Sequence, residues 1–131
     1  MDTMKFVADP LKRVGEVEFG MSREKVRSIL GEAKEFKKSK YSKNTTDDFG
    51  FCHVYYDPDN CCEAIELFGD IEIVVAGEIV FPGSVENIRT IIKDLDGDGY
   101  GYLSVKESIG VTESNGMIEA ILFGKAGYYA G

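Results

Sequence analysis

Apolar residues recur every three to four positions in two short stretches and every second position over much of the remaining chain. The two stretches, residues 22–30 and 84–95, each begin with a serine, the residue type that most often caps the start of a helix. Each therefore predicts one short helix with one buried side. The predicted buried side chains are Val26, Ile29, Leu30, Ile88, Ile91, Ile92 and Leu95.

Alternation of apolar and polar residues predicts β-strands in the other segments. Residues 51–56 and 62–68 are joined by residues 57–60, in which Asp occupies the first and Pro the second position of a turn. This arrangement predicts a β-hairpin. Further strands are predicted over residues 71–75, 78–81, 101–104, 106–111 and 118–123.

An internal repeat organises these elements. Residues 53–69 and 109–124 share one layout of strand, polar turn, strand and terminal glycine, and each follows a predicted helix. The repeat predicts one domain over residues 1–131, with repeat 1 at about 19–81 and repeat 2 at about 82–129. The predicted fold class is α+β, a single antiparallel sheet with two helices on one face, built from two helix-then-β-hairpin repeats.

The alternation also decides which side chains share a face of the sheet. Ile65 and Leu67 align with Ile121 and Phe123 in the other repeat, so all four are predicted to face the helices. An open face with aromatic rings and carboxylates is typical of protein-binding surfaces, although the polar segment 34–48 could equally cover it. The residues predicted to bind a partner there and at its rim are His53, Tyr55, Asp57, Asp59, Glu66 and Phe68, and Ala64 is predicted to share the face.

Charge is distributed unevenly along the 131 residues, whose net charge is -8. Residues 1–43 carry 11 basic and 7 acidic side chains, a net +4, whereas residues 44–131 carry 4 basic and 16 acidic ones, a net -12. Acidic surfaces repel nucleic-acid phosphates and speed the approach of basic proteins, which favours a basic protein partner over nucleic acid. The alternative is that the charge serves solubility alone.

Several classes of function lack a signal in the sequence. No apolar run approaches the roughly 18–20 residues that span a membrane, and residues 1–6 do not have the character of a signal peptide, so we expect a cytoplasmic protein with no membrane partner. The one histidine, His53, follows Cys52 within a strand, which places their side chains on opposite faces. We therefore expect no enzyme, no catalytic residue and no cofactor; a zinc site that combines these two residues with Cys61 and Cys62 is the less favoured alternative.

One acidic segment gives a second hypothesis. Asp94, Asp96 and Asp98 occupy alternate positions and are followed by glycine, as at the start of a calcium-binding loop. The twelfth position of that pattern, which requires glutamate, is Val105. The alternative function is therefore a calcium-binding or structural module in which these three aspartates are the metal ligands and calcium is the candidate cofactor.

A short motif carries a family resemblance. It consists of Phe19-Gly20-Met21-Ser22, Val26 and Leu30-Gly31. The motif resembles the Gly-Met-Ser/Thr, Val, Leu-Gly helix of the β-lactamase inhibitor protein family and of outer-membrane assembly lipoprotein domains. The resemblance implies a tandem helix-plus-sheet fold that presents its sheet to a target enzyme.

The whole chain also resembles small, acidic bacterial proteins of the immunity type. That resemblance implies a non-catalytic protein that binds one toxin. Together with the charge, it leads us to expect an immunity or inhibitor-like protein-binding module whose partner is a basic toxin or enzyme.

Overall fold

The computed structural model describes residues 4–97 and 99–130, and these residues form an α+β fold that is mostly strand. The helices are α1 (Arg23–Leu30) and α2 (Val85–Ile91). The strands are β1 (Met4–Asp9), β2 (Arg13–Val14), β3 (Val17–Glu18), β4 (Lys34–Phe36), β5 (Thr46–Asp48), β6 (Cys52–Tyr56), β7 (Cys62–Phe68), β8 (Ile71–Val75), β9 (Glu78–Phe81), β10 (Asp96–Gly97), β11 (Tyr102–Ser104), β12 (Ile109–Ser114) and β13 (Met117–Gly124).

The strands form two sheets, so the prediction of a single antiparallel sheet is wrong. One sheet has five strands in the order β3-β2-β1-β8-β9, and the other has eight in the order β10-β11-β12-β13-β7-β6-β5-β4. All pairs in the eight-stranded sheet are antiparallel, whereas β1 and β8 pair in parallel. The physical reason is that the β8–β9 hairpin takes the N-terminal strand as its partner instead of extending the larger sheet.

Both helices begin at the predicted serine caps. The Ser22 hydroxyl accepts a hydrogen bond from the Lys25 N–H at 3.3 Å, and the Ser84 hydroxyl accepts one from the Asn87 N–H at 3.0 Å. These bonds satisfy N–H groups that have no partner within the helix. Helix α1 ends at Gly31, whose φ of 99° lies in the region that favours glycine.

The start of α1 is fixed to the turn of the β6–β7 hairpin, and the start of α2 is fixed to the turn of the β12–β13 hairpin. The Arg23 N–H donates to the Asn60 carbonyl at 3.0 Å, and the equivalent Val85 N–H donates to the Gly116 carbonyl at 2.9 Å. The two helix-then-hairpin units are thus docked by the same backbone contact.

One hydrophobic core joins both sheets and both helices. Four residues predicted to face the helices, Ile65, Leu67, Ile121 and Phe123, are all at most 2% exposed. They belong to the same buried cluster as Val26 of α1, Ile88 of α2 and Ile73 of the five-stranded sheet. The opposite face of the eight-stranded sheet is therefore left to form a surface.

Candidate functional site

The candidate site is the face of the eight-stranded sheet that points away from the core, which we call the open face. Residues directly opposite one another on neighbouring antiparallel strands lie on the same face. The register therefore places one continuous row across six strands. The row consists of Asp48, His53, Glu66, Leu122, Gly110 and Leu103.

His53 lies between two carboxylates and two aromatic rings in this row. Its Nε2 is 3.7 Å from Asp48 Oδ1 and its Nδ1 is 3.7 Å from Glu66 Oε1. The rings of Phe36 and Phe68 approach it edge-on, with centroid distances of 5.0 and 4.8 Å. The His53 side chain remains 26% exposed, so this packed group of side chains reaches the solvent.

Tyr55 completes the group and holds Glu66 in position. Its hydroxyl donates a hydrogen bond to Glu66 Oε1 at 3.2 Å. Burial and the neighbouring carboxylate raise the pKa of Tyr55, so the phenol stays a donor at neutral pH. The Lys38 Nζ lies 4.7 Å from the centre of the Tyr55 ring, within the range of a cation–π interaction.

The structure brings four of the predicted binding residues together and places the other two apart. His53, Tyr55, Glu66 and Phe68 form the group just described. Two further predicted residues belong to the hairpin turn: the Asp57 carboxylate accepts the N–H groups of Asp59 and Cys61 at 2.9 and 3.0 Å, and Asp59 is exposed. The carboxylate of Asp57 thus serves the turn, while that of Asp59 is available to solvent.

Ala64 lies opposite Tyr55 and so shares the open face, as the alternation predicted, but it is 0% exposed. It pairs with Gly124 on the neighbouring strand, and Tyr128 packs so closely on that glycine that an added Cβ would lie 2.7 Å from the Tyr128 Cβ. The end of the chain therefore covers this corner of the open face. A glycine at the end of a strand followed by two tyrosines is the sequence signal for such packing.

The polar segment 34–48 widens the open face. Its composition predicts a long loop with some edge-strand character that could cover the sheet. In the structure its two ends form β4 and β5: β5 pairs with β6, and β4 pairs with β5 at the edge of the sheet. Through these strands Phe36 and Asp48 come to lie beside His53. Sequence reasoning missed both residues, because a segment rich in lysine and serine gives no clear alternation.

A buried carboxylate on the other side of β5 was also missed. Asp47 is 0% exposed, and its oxygens accept hydrogen bonds from Arg27 at 2.7 and 2.8 Å, from Arg23 at 2.9 Å and from the Tyr56 hydroxyl at 2.8 Å. Burial acts to raise the pKa of Asp47, but the donated hydrogen bonds outweigh it and lower the pKa to about 2. This network fixes α1 to β5 and so positions the neighbouring Asp48 on the open face.

The acidic segment near residue 96 does not gather its carboxylates in the part of the chain that is described. The Asp94 carboxylate accepts a hydrogen bond from the Ser104 hydroxyl at 2.9 Å, and Asp96 is exposed in β10. Asp98, the third predicted calcium ligand, lies outside the described residues. Over residues 4–97 and 99–130, no group of three or more His, Cys, Asp or Glu side chains is arranged to hold a metal ion.

The cysteines lie apart from the histidine of the open face. Cys52 and Cys62 are buried, and burial raises the pKa of both thiols to about 12. Cys61 is partly exposed in the hairpin turn. Cys52 and His53 point to opposite faces of β6, as the alternation predicted.

Comparison of the chain with models of protein families, with characterised proteins and with solved structures finds no match. The resemblances to inhibitor and immunity-type proteins therefore stay predictions. Neither α1 nor α2, nor any other helix within the described residues, has the length and apolar character needed to cross a membrane.

Proposed function

We propose that this chain is a non-catalytic protein-binding module, of the immunity or inhibitor type, that neutralises a basic toxin or enzyme. The observation that supports the proposal is the contact group formed by His53, Tyr55, Glu66 and Phe68 on the open face. Aromatic side chains that are held rigidly lose little conformational freedom on binding, and such residues are frequent anchors of protein interfaces.

The charge of the face favours a basic partner. Asp48 and Glu66 have side chains that are 36% and 25% exposed, and among the described residues no lysine or arginine nitrogen lies within 4 Å of either carboxylate. Residues 44–131, which include most strands of the eight-stranded sheet, carry a net charge of -12, and Lys38 brings a positive charge to the Tyr55 ring on the open face. A surface of one sign accelerates the encounter with a partner of the opposite sign.

We also propose that the protein acts in the cytoplasm. All three cysteines are free, and two of them are buried among apolar side chains. Free thiols are typical of proteins that work in a reducing compartment.

Charge reversal tests the proposal. Immobilised protein would capture basic partners from a lysate of the source cells, and the association rate of a captured protein would then be measured at low salt. We expect the variant Glu66→Lys/Asp59→Lys to slow association by about ten-fold or more, because it inverts the charge at the open face and its rim.

The matched control is Glu16→Lys/Glu78→Lys, which makes the same change in net charge at exposed positions next to or within strands of the five-stranded sheet. The control should retain capture and most of the association rate. Equal loss in both variants would mean that only the net charge matters, and unchanged rates in the Glu66→Lys/Asp59→Lys variant would refute a binding role for the open face.

A further inference from the structure

A cavity of about 340 Å³ opens on the open face next to Glu66, above strands β11, β12 and β13. Its walls combine tyrosine rings, aliphatic side chains and one carboxylate. The lining residues that matter here are Glu66, Tyr100, Gly110, Leu122 and Tyr129.

Gly110 makes room for the Tyr129 side chain, which forms part of the wall of this cavity. The residue lies between Leu103 and Leu122 in the row across the sheet, and it leaves the surface without a side chain at that point. A Cβ added to Gly110 would lie 2.4 Å from the hydroxyl oxygen of Tyr129, so only glycine lets that tyrosine lie across the strand. A glycine inside a strand often marks such a close approach.

Glu66 is the one charged side chain among the described residues that line the cavity. Its Oε1 accepts the Tyr55 hydroxyl and lies 3.7 Å from His53 Nδ1, while its Oε2 has no hydrogen-bond or ion-pair partner among the described residues. The side chain is 25% exposed. A carboxylate that is oriented on one oxygen and partly withdrawn from water interacts more strongly with a cation than a fully solvated one does.

Guanidinium is the cation that this chemistry suits best. It is planar, stacks on aromatic rings and donates two parallel hydrogen bonds to a carboxylate, whereas the lysine ammonium is a compact and strongly hydrated charge. We propose that this cavity, which we call the Glu66 pocket, binds the side chain of an arginine on the partner protein. The proposal rests on the proposed function and names the chemical group that the open face recognises.

A titration with a single-residue probe tests the pocket without the partner. ¹⁵N-labelled protein would be titrated with N-acetyl-L-argininamide and followed by NMR. We expect saturable shifts of the Gly110 and Leu122 amides with a Kd on the order of 1 mM, which is reasonable for one cation–carboxylate contact with stacking. N-acetyl-L-lysinamide should bind at least about three-fold more weakly, since it offers no planar donor pair.

The variant Glu66→Gln keeps the shape of the side chain and should weaken arginine binding about ten-fold. Glu119→Gln is the matched control, because Glu119 is exposed on β13 and does not line the cavity. Unaltered amide spectra away from residue 66 would show that both variants are folded. Equal Kd values for N-acetyl-L-argininamide in the two variants would refute the proposal that the Glu66 pocket binds arginine.

The outcomes separate this inference from the proposed function. If the probe causes no saturable shift at about 50 mM, far above the expected Kd, the arginine pocket is wrong, although charge-dependent capture of a basic protein could still support the binding face. If the probe binds through Glu66 but no protein is captured, the pocket stands and the proposed function fails.

Discussion

Replacing the buried Asp47 by asparagine should destabilise the protein strongly. The substitution keeps the size of the side chain but removes the charge that compensates Arg23 and Arg27, which both donate to it. Removing one partner of a buried, hydrogen-bonded ion pair typically costs about 3–5 kcal/mol. Because Arg27 is partly exposed and can reach water, we expect the lower end of that range at neutral pH.

The pH dependence gives a second measure of the same interaction. The pKa of Asp47 falls from its ordinary value of 3.8 to about 2 in the folded protein. A lowered pKa means that the carboxylate stabilises the fold fully above about pH 4 and loses this effect as the pH falls towards 2. At 1.36 kcal/mol for each pKa unit, the shift corresponds to about 2 kcal/mol.

Urea unfolding of the wild type and of Asp47→Asn between about pH 6 and pH 2 would check the cost of the substitution and the contribution of the pKa shift. The difference in unfolding free energy should be largest at the higher pH and narrow by about 2 kcal/mol at the lower one, since protonation makes the wild-type side chain neutral as well. Asp59→Asn, at an exposed position, is the control and should lie within about 0.5 kcal/mol of the wild type. A difference for Asp47→Asn that stays constant with pH would refute our account of the network.

Two further predictions follow from the fold. Ser22→Ala and Ser84→Ala should each lower the free energy of unfolding, measured in urea, by about 1 kcal/mol, because both serines cap a helix in the same way. A lower unfolding free energy in only one of the two variants would contradict the equivalence of the two caps. Ellman's reagent at about pH 8 should label only Cys61 in the native protein, because the thiols of Cys52 and Cys62 are buried and have raised pKa values. After denaturation the reagent should label all three cysteines. Rapid labelling of all three in the native protein would contradict this prediction.

Local signals in the sequence predicted the elements that depend on neighbouring residues. The hairpin of β6 and β7 follows from alternation and the Asp-Pro turn, and the helix caps follow from Ser22 and Ser84. The division into two sheets has no such signal. It depends on the pairing of Met4 with Ile71, two residues far apart in the chain, and on strands β2 and β3 of only two residues each.

The candidate site divides in the same way. Alternation alone brought His53, Tyr55, Glu66 and Phe68 to one face, because they lie on the two strands of one hairpin. Asp48 could not be predicted beside them, since it reaches the face through the pairing of β5 with β6, which leaves no pattern in a polar segment. Nothing in the sequence distinguishes the neighbouring Asp47 from a surface carboxylate. Its charge can be buried because Arg23 and Arg27 of α1 form ion pairs with it.

The parallel pairing of β1 with β8 affects the order in which the molecule can be completed during synthesis. During synthesis β1 leaves the ribosome before its partner β8, because more than sixty residues separate Asp9 from Ile71. Until β8 emerges, β2 is the one strand that can pair with β1 in this sheet, although Phe6 of β1 can already stack on Phe51. A nascent chain that stops before Ile71 therefore holds an unfinished five-stranded sheet, with an unpaired strand edge of the kind that invites association with other chains.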